Sequence, residues 1–558
     1  MKQFIFTFLL GASLSLLAQN TGTITTPPSF PVRTAAEWEE IQTLNITWTS
    51  YTSVLREIVR NAQTECKVII ACTDSNTVKS SLTANNIPLT NLVYLQQPYN
   101  TVWARDYSGN TVYKNEVEDL MMVDWIYNRP RPKDDTMSQR IARYLDIPYY
   151  ATKVLPNDLV NTGGNFMSDG QGTGFASKLV LEENQGTGYS LGMKTEAEID
   201  TIMKKFMGIN RYIKMETLPY DGIHHIDMHM KLLDEETLLV GEYPQGVADG
   251  PQIEANLQYV LANYNSVFGT PYRVVRVAMP PDNGAYPNTT GDYMTYANNV
   301  FVNKTVIVPT YNPQYDSTAL RILRENLPGY KVVGIPCNSI ISASGALHCI
   351  THSVGVNDPL LIVHQPKHGS LYSGANNTYD LKAKIQHKSG ISTAVVHYNT
   401  GANPTWQVAS MTLTNPALDE WSLTLPLIVN DTIHYYIEAT ANNGKMQVRP
   451  MTAPTGYYTY YPYSIVANEP IVEKVDFQPI FPNPGKAITC FPVQMNQATS
   501  GSIKIYDMIG KEIATIHEGL LPAGDSKYFI DASQLISGTY MVILQTENQK
   551  LVQKWMVR

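Results

Sequence analysis

Short apolar runs alternate with amphipathic segments from about Pro31 to Pro366, and beyond that point the pattern changes to a period of two. The runs fall at 68–71, 92–95, Leu120–Tyr127, 179–181, 238–240, 274–278, 306–308, 332–335 and 360–363, and runs this short predict buried strands. Between them, residues 53–62, Met137–Leu145, 195–207, 251–263 and 317–326 repeat apolar positions at helical spacing. The third of these opens on a capping box, Thr195 with Glu198, and stops at Gly208. Strands and helices in alternation predict an α/β fold. No Gly-x-Gly-x-x-Gly opens any of these helices, which disfavours a dinucleotide or P-loop enzyme.

After Pro366 the helical signal ends. Residues 380–463 alternate polar and apolar positions, with Thr432-Ile433-His434-Tyr435-Tyr436-Ile437 as the clearest strand and Asn442-Asn443-Gly444 as the clearest turn. A stretch of about 90 residues with this pattern and no cysteine pair predicts an immunoglobulin-like β-sandwich, placed at 367–466. A linker at 467–478 leads to Phe481-Pro482-Asn483-Pro484-Gly485 and a last all-β stretch, 479–558. Its Pro-Asn-Pro opening and Ser537-Gly538-Thr539-Tyr540 strand resemble the C-terminal sorting domain of type IX secretion cargo, which implies the secretion machinery as a partner.

The two ends agree on compartment. Lys2, then a short apolar stretch from Phe4 to Leu17, then Ala18, predict a secretory signal at 1–18. The expected location is therefore secreted or cell surface, with outer-membrane attachment after sorting. The net charge of −8 becomes one unit more negative once Lys2 is removed, and no Lys/Arg cluster offsets it, so nucleic acid is a poor partner. Five cysteines, an odd number, argue against a disulfide framework. Cys66 and Cys72 flank a predicted strand that would hold them about 20 Å apart, too far to bridge.

Cys349 lies in Ser344-Gly345-Ala346-Leu347-His348-Cys349-Ile350-Thr351-His352, and a thiol with two histidines so close is the best nucleophile candidate. His224-His225-Ile226-Asp227-Met228-His229 reads as a strand, in which His225, Asp227 and His229 would share one face. That face suits a metal, or a histidine acid/base beside a carboxylate that holds a cation. Trp103-Ala104-Arg105-Asp106 offers an aromatic plane next to a carboxylate, which suits a flat cation. In Tyr127-Asn128-Arg129-Pro130-Arg131-Pro132 each arginine precedes a proline and is pushed toward extended backbone, where two guanidinium groups could clamp one carboxylate. Asn161-Thr162-Gly163-Gly164-Asn165 is a tight turn, and Tyr296-Ala297-Asn298-Asn299 leads into a strand pair.

Taken in order, Trp-x-Arg-Asp at 103–106, Tyr-Asn-Arg-Pro-Arg-Pro at 127–132, Thr-Gly-Gly-Asn at 162–165, His-x-Asp at 225–227, Tyr-x-Asn at 296–298 and His-Cys-x-Thr-His at 348–352 form one pattern over residues 31–366. It resembles the bacterial, Porphyromonas-type peptidylarginine deiminase family, kin to the agmatine deiminases within the pentein superfamily. The resemblance implies a five-bladed α/β propeller and hydrolysis of arginine side chains to citrulline and ammonia, without cofactor or metal. It implies Cys349 as nucleophile, His225 as general acid and base, and Asp106 and Asp227 as carboxylates that hold the guanidinium. Trp103 would cover the guanidinium face, Asn298 would line the pocket, and Arg129 with Arg131 would receive a C-terminal carboxylate. Met228-His229-Met230 departs from the family pattern and leaves the metal reading open at that segment.

The implied substrates are peptides or proteins ending in arginine. Agmatine lacks the carboxylate and ends in an ammonium, which two buried arginines would repel; breaking such a pair costs about 3–5 kcal/mol. The alternatives are an agmatine deiminase and a surface adhesin that keeps the fold without turnover.

Overall fold

Five times between residues 41 and 355 the chain lays down the same small unit: a strand, an antiparallel second strand, a crossover helix and a third strand parallel to the second. The computed structural model describes residues 22–243, 249–280, 294–367, 369–372, 378–426, 431–463, 474–486 and 488–558.

The first unit pairs Asn110–Lys114 with Leu120–Tyr127 and, across helix Met137–Leu145, with Tyr149–Thr152. The second uses Met167–Ser168, Thr173–Ser177, helix Glu196–Met207 and Arg211–Met215. The third uses Met230–Leu232, Thr237–Glu242, helix Gly250–Asn263 and Arg273–Ala278. The fourth uses Val300–Val302, Thr305–Thr310, helix Pro313–Asn326 and Lys331–Pro336. The fifth joins distant parts of the chain, because His352–Gly355 pairs antiparallel with Ile41–Thr47, which continues through helix Thr52–Ala62 to the parallel Lys67–Cys72. The middle strands are almost wholly buried, since each is paired on both edges and covered on both faces.

Helix ends follow the chemistry of the sequence. Thr195 and Glu198 form the capping box, and Gly208 closes the same helix in the left-handed region at φ 68°. The fourth helix begins at Pro313, earlier than the 317–326 periodicity predicts, because Asn312 caps it and the proline supplies its first position. Helix Ser75–Ala84 has too few apolar positions to announce itself, and Asp74 caps it through Asn76 and Thr77.

Two short segments differ in kind from the sequence expectation. Residues 179–181, expected as a strand, form the start of helix Leu179–Glu182; a three-residue apolar run carries no period, and Val180 is buried as the turn docks. Residues 224–229, also expected as a strand, form a 3-10 turn at Ile226–Met228. His224 is left-handed at φ 56°, and the His229 N–H turns back to Ile226 O at 3.1 Å, so no partner strand can pair there.

Leu361–Val363 pairs with Thr378–Gln386. That sheet and a second one built around Ile433–Ala441 close over one apolar core containing Leu381, Val396, Tyr435 and Tyr460. Asn442-Asn443-Gly444 makes the turn into Met446–Arg449, with Gly444 at φ 88°. Part of the expected linker is ordered, as Val475–Phe477 pairs with Ile488–Met495, whose side chains share a last all-β core with Ile503, Val542 and Trp555. The expected secretory signal lies outside the described residues. Among the described residues no helix is long and apolar enough to cross a membrane.

Candidate active site

Each repeated unit is entered through a short irregular segment just before its first strand, and the chemistry lies in those segments. Asp106 precedes Asn110–Lys114, Gly164 precedes Met167–Ser168, His225 and Asp227 precede Met230–Leu232, Asn298 precedes Val300–Val302, and Cys349 precedes His352–Gly355. The repeat therefore delivers five separate stretches of sequence to one place.

Cys349 is 3% exposed. Its Sγ lies 3.6 Å from Asp227 Oδ2, 3.3 Å from Asn298 Nδ2 and 3.9 Å from Met228 Sδ. Asn298 is held in turn, accepting the His348 N–H at 2.9 Å and donating to Asp227 O at 3.3 Å. Burial raises the Cys349 thiol well above its ordinary value, and the charges of Asp227 and Asp106 raise it further. The sequence offered His348 and His352 as activating neighbours; neither is bonded to the sulfur. His348 turns its ring to Asp227 and Glu37, each at 2.7 Å, and His352 is buried with its Nδ1 unpartnered.

His225 and Asp106 face each other at 3.7 Å, Nδ1 to Oδ1. Burial raises the Asp106 carboxyl, with His225 opposing the shift and Asp227 adding to it. Burial would also raise Asp227, but the hydrogen bond and charge of His348 outweigh it and leave this carboxyl below its usual range. Three buried polar atoms in this group make no hydrogen bond: Asp106 Oδ1, Asp227 Oδ1 and His225 Nε2. Gly164 makes the arrangement possible, because a Cβ there would overlap His225 Nδ1 and sit 3.1 Å from Asp106 Oδ1. Gly163 is equally constrained by the Arg105 carbonyl.

Trp103 is partly buried at the start of helix Ala104–Tyr107. A Cβ on Gly345 would overlap its ring and lie 3.3 Å from Cys349 Cβ, so the glycine brings the aromatic plane close to the Cys349 segment. Ser344, just before it, is left-handed at φ 58°, a conformation that a non-glycine residue adopts only when its surroundings impose it.

The two arginines are less enclosed than the sequence reading assumed. Arg129 is 35% exposed in its side chain, donates to Asn128 O at 3.0 Å and lies 4.0 Å from Glu183 Oε1. Arg131 is also half-buried and donates to the Tyr127 hydroxyl at 2.8 Å. Pro130 and Pro132 of this loop are exposed, and both arginines are only half-buried, so the pair lies at the protein surface. Sequence reasoning missed Glu183 there. Its Oε1 accepts from Asn128 Nδ2 at 2.6 Å, its Oε2 is buried without a partner, and burial raises its carboxyl.

The shared face of His225, Asp227 and His229 does not exist, since the 3-10 turn sends them different ways. His229 is enclosed with both ring nitrogens unpartnered, and burial pushes it down to about 4. Among the described residues no three His, Cys, Asp or Glu side chains are grouped to hold a metal ion. All five cysteines are free and buried.

Residues 26–354 match the model of the Porphyromonas-type peptidyl-arginine deiminase family. The chain belongs to that family. Residues 479–558 match the secretion system C-terminal sorting domain. This deiminase-family chain is therefore exported and attached at the cell surface, and its last domain engages the secretion machinery. A Latilactobacillus sakei protein provisionally named agmatine deiminase is 25% identical over 366 residues, which span 59% of this chain and 98% of the relative. One from Mycoplasma mycoides with the same provisional name is 24% identical over 297 residues, 48% of this chain and 78% of the relative. Among solved structures, a Porphyromonas gingivalis protein provisionally described as an arginine deiminase superposes with a TM-score of 0.51 at 23% identity, covering 58% of this chain and 99% of the other. The Enterococcus faecalis agmatine deiminase gives 0.51 at 17% identity, covering 60% and 100%. These structures share the α/β pentein fold of the deiminase region.

Proposed function

We propose that this chain hydrolyses the guanidinium group of C-terminal peptidyl arginine to citrulline and ammonia. The observation that carries the reading is the set of unpartnered buried acceptors, Asp106 Oδ1 and Asp227 Oδ1, beside a buried thiol. Buried carboxylates without partners are costly, and a planar cation with five N–H donors satisfies them while its carbon is held near sulfur.

In this reading the arriving cation also activates the nucleophile. Asp227 and Asp106 hinder ionisation of Cys349 in the free site. A bound guanidinium reverses the local charge and favours the thiolate. Sulfur passes its proton to His225 and attacks the guanidinium carbon, the C–N bond breaks, and His225 gives that proton to the departing ammonia, leaving a thiouronium on Cys349. His225 then takes one proton from water, whose oxygen attacks the same carbon; the C–S bond breaks, sulfur recovers the remaining proton as the citrulline carbonyl forms, and the proton on His225 leaves with ammonia as ammonium. Trp103 covers the flat face and Asn298 steadies the sulfur, which it already reaches at 3.3 Å. We read the five repeated units as the five blades of the pentein propeller, and the two-sheet unit after them as immunoglobulin-like.

The preference for a carboxylate end rests on charge at the margin. Arg129 and Arg131 stand there against one carboxylate, Glu183, so the balance favours an anion. Agmatine is the second reading, favoured by the free buried oxygen of Glu183, which could accept an ammonium. Turnover of an Arg-terminated dipeptide and of agmatine, compared in wild type and Arg129→Ala, separates them. The dipeptide should lose about 5- to 30-fold in kcat/KM, since a half-exposed pair contributes roughly 1–2 kcal/mol. Preferred turnover of agmatine, untouched by the substitution, would reverse the assignment.

A further inference from the structure

Glu37 lies outside every motif that carries the proposed chemistry, yet it ends a row of buried charges that begins in the pocket. His348 is 1% exposed and stands between two carboxylates, with Nδ1 2.7 Å from Asp227 Oδ2 and Nε2 2.7 Å from Glu37 Oε1. An ionised carboxylate only accepts hydrogen bonds, and a neutral imidazole has one N–H. A neutral ring would set a lone pair against a carboxylate lone pair at one of these contacts, whereas the imidazolium donates to both. On its far side Glu37 accepts from Lys231 Nζ at 2.6 Å through Oε2, and Arg105 Nη1 lies 3.5 Å from Oε1. Burial alone would raise the Glu37 carboxyl, but His348, Lys231 and Arg105 together hold it well below the usual range.

The same cluster ties the pocket segments to one another. The Arg105 backbone N–H donates to Cys349 O at 3.1 Å, and its Nε reaches His348 O at 3.4 Å. Arg105 is the neighbour of Asp106, so one residue joins the Asp106 segment to the nucleophile segment. The His348 ring joins the nucleophile segment to Asp227.

We propose that Glu37 and His348 are positioning residues that grip Asp227 by Oδ2, leaving Oδ1 free and fixed to receive the substrate guanidinium. The identity of that ligand rests on the guanidine-hydrolase reading. A guanidinium is cationic before sulfur attacks, so a fixed Asp227 strengthens substrate binding as much as transition-state binding. The effect of loosening it falls on KM more than on kcat. The groups around His348 and Glu37 are Asp227, Arg105, Lys231 and His352, and removing the Glu37 charge leaves Asp227 and the rest of the pocket lining in place.

The experiment uses the full chain with Glu37→Gln, which keeps the size and shape of the side chain and removes its charge. Steady-state kinetics on an Arg-terminated dipeptide should give a KM raised about tenfold or more, with kcat changed less than about threefold. In parallel, 15N-histidine NMR of the wild type should show both ring N–H protons on one imidazole. The signals are assigned to His348 by their absence in His348→Asn, and the Nε2 proton should be lost in Glu37→Gln. Unchanged KM in Glu37→Gln, or a wild-type His348 with a single ring N–H, overturns the proposal. If the wild type turns over no guanidine compound, the substrate reading falls separately, and the two ring protons still decide whether His348 bridges Glu37 and Asp227.

Discussion

Burial and two nearby carboxylates restrain the ionisation of a thiol, and that is the situation of Cys349. Its raised pKa means that the thiolate fraction at pH 7 lies below the few per cent of an ordinary free thiol. Alkylation of Cys349 by iodoacetamide in the free protein should therefore be slow at neutral pH and still climbing at about pH 9. Mass spectrometry of the Cys349 peptide measures this, and a rate that levels off near neutrality would contradict the charge picture. Asp106 follows the same logic. Its folded pKa is raised above the ordinary 3.8, so between those two values the folded state binds more protons than the unfolded state, and stability falls as pH rises through the window. Asp106→Asn should raise the unfolding free energy at pH 7 by about 1–2 kcal/mol while abolishing turnover, because a buried carboxyl whose burial cost outweighs its long contact to His225 becomes a neutral amide. Urea unfolding at pH 7 checks the sign, and a destabilised Asn variant would count against it.

At the scale of elements, glycines and turns place the chemistry. Gly164→Ala introduces a methyl that collides with His225 Nδ1, so kcat should fall by about tenfold or more with a small change in the thermal midpoint. Activity equal to wild type would mean that His225 has room to move. Elements with strong period or strong caps were legible in the sequence. Leu120–Tyr127 and Met137–Leu145 begin and end where the pattern predicts, and the Thr195 cap and Gly208 stop bound the second crossover helix. Cys349 and the His225–Asp227 stretch stand out by residue type, whereas the Asp106 segment is weak alone and Asn298 carries no signal of its own; those two join the candidate site only through the order of motifs in the family resemblance. What the pattern could not supply was direction. Alternation at 224–229 suggested a shared face, but a 3-10 turn points Asp227 at His348 and His225 at Asp106. Proximity in sequence offered His348 to the thiol, whereas in space two carboxylates claim its ring. Glu37 and Glu183 gave no local signal, because each matters only through contacts more than fifty residues away.

Across the whole molecule, the deiminase region is braced by the two-sheet unit that follows it. Arg449 reaches Glu235 at 2.5 Å and Lys445 reaches Glu40 at 2.6 Å, while Thr452 donates to Pro328 O at 2.6 Å. Gly329 and Gly456 let the two backbones meet, and a Cβ on Gly456 would overlap the Pro328 carbonyl. Glu235 is buried, and burial pushes its carboxyl up to about 7 against the opposing charge of Arg449, so Arg449→Ala leaves a carboxyl that takes up a proton at neutral pH and should destabilise the assembly by about 1–3 kcal/mol. Chemical denaturation followed by tryptophan fluorescence reports this, and an unchanged midpoint would mean that the brace carries no load. The last domain sends the molecule to the cell surface. Mass spectrometry of matched peptides, one ending in arginine and one with the arginine internal, after incubation with the full chain, decides the deiminase reading. The terminal arginine should gain about one dalton with release of ammonia, and neither change should occur with Cys349→Ala. Turnover that survives in Cys349→Ala, or a wild type that leaves every arginine unchanged, would contradict it.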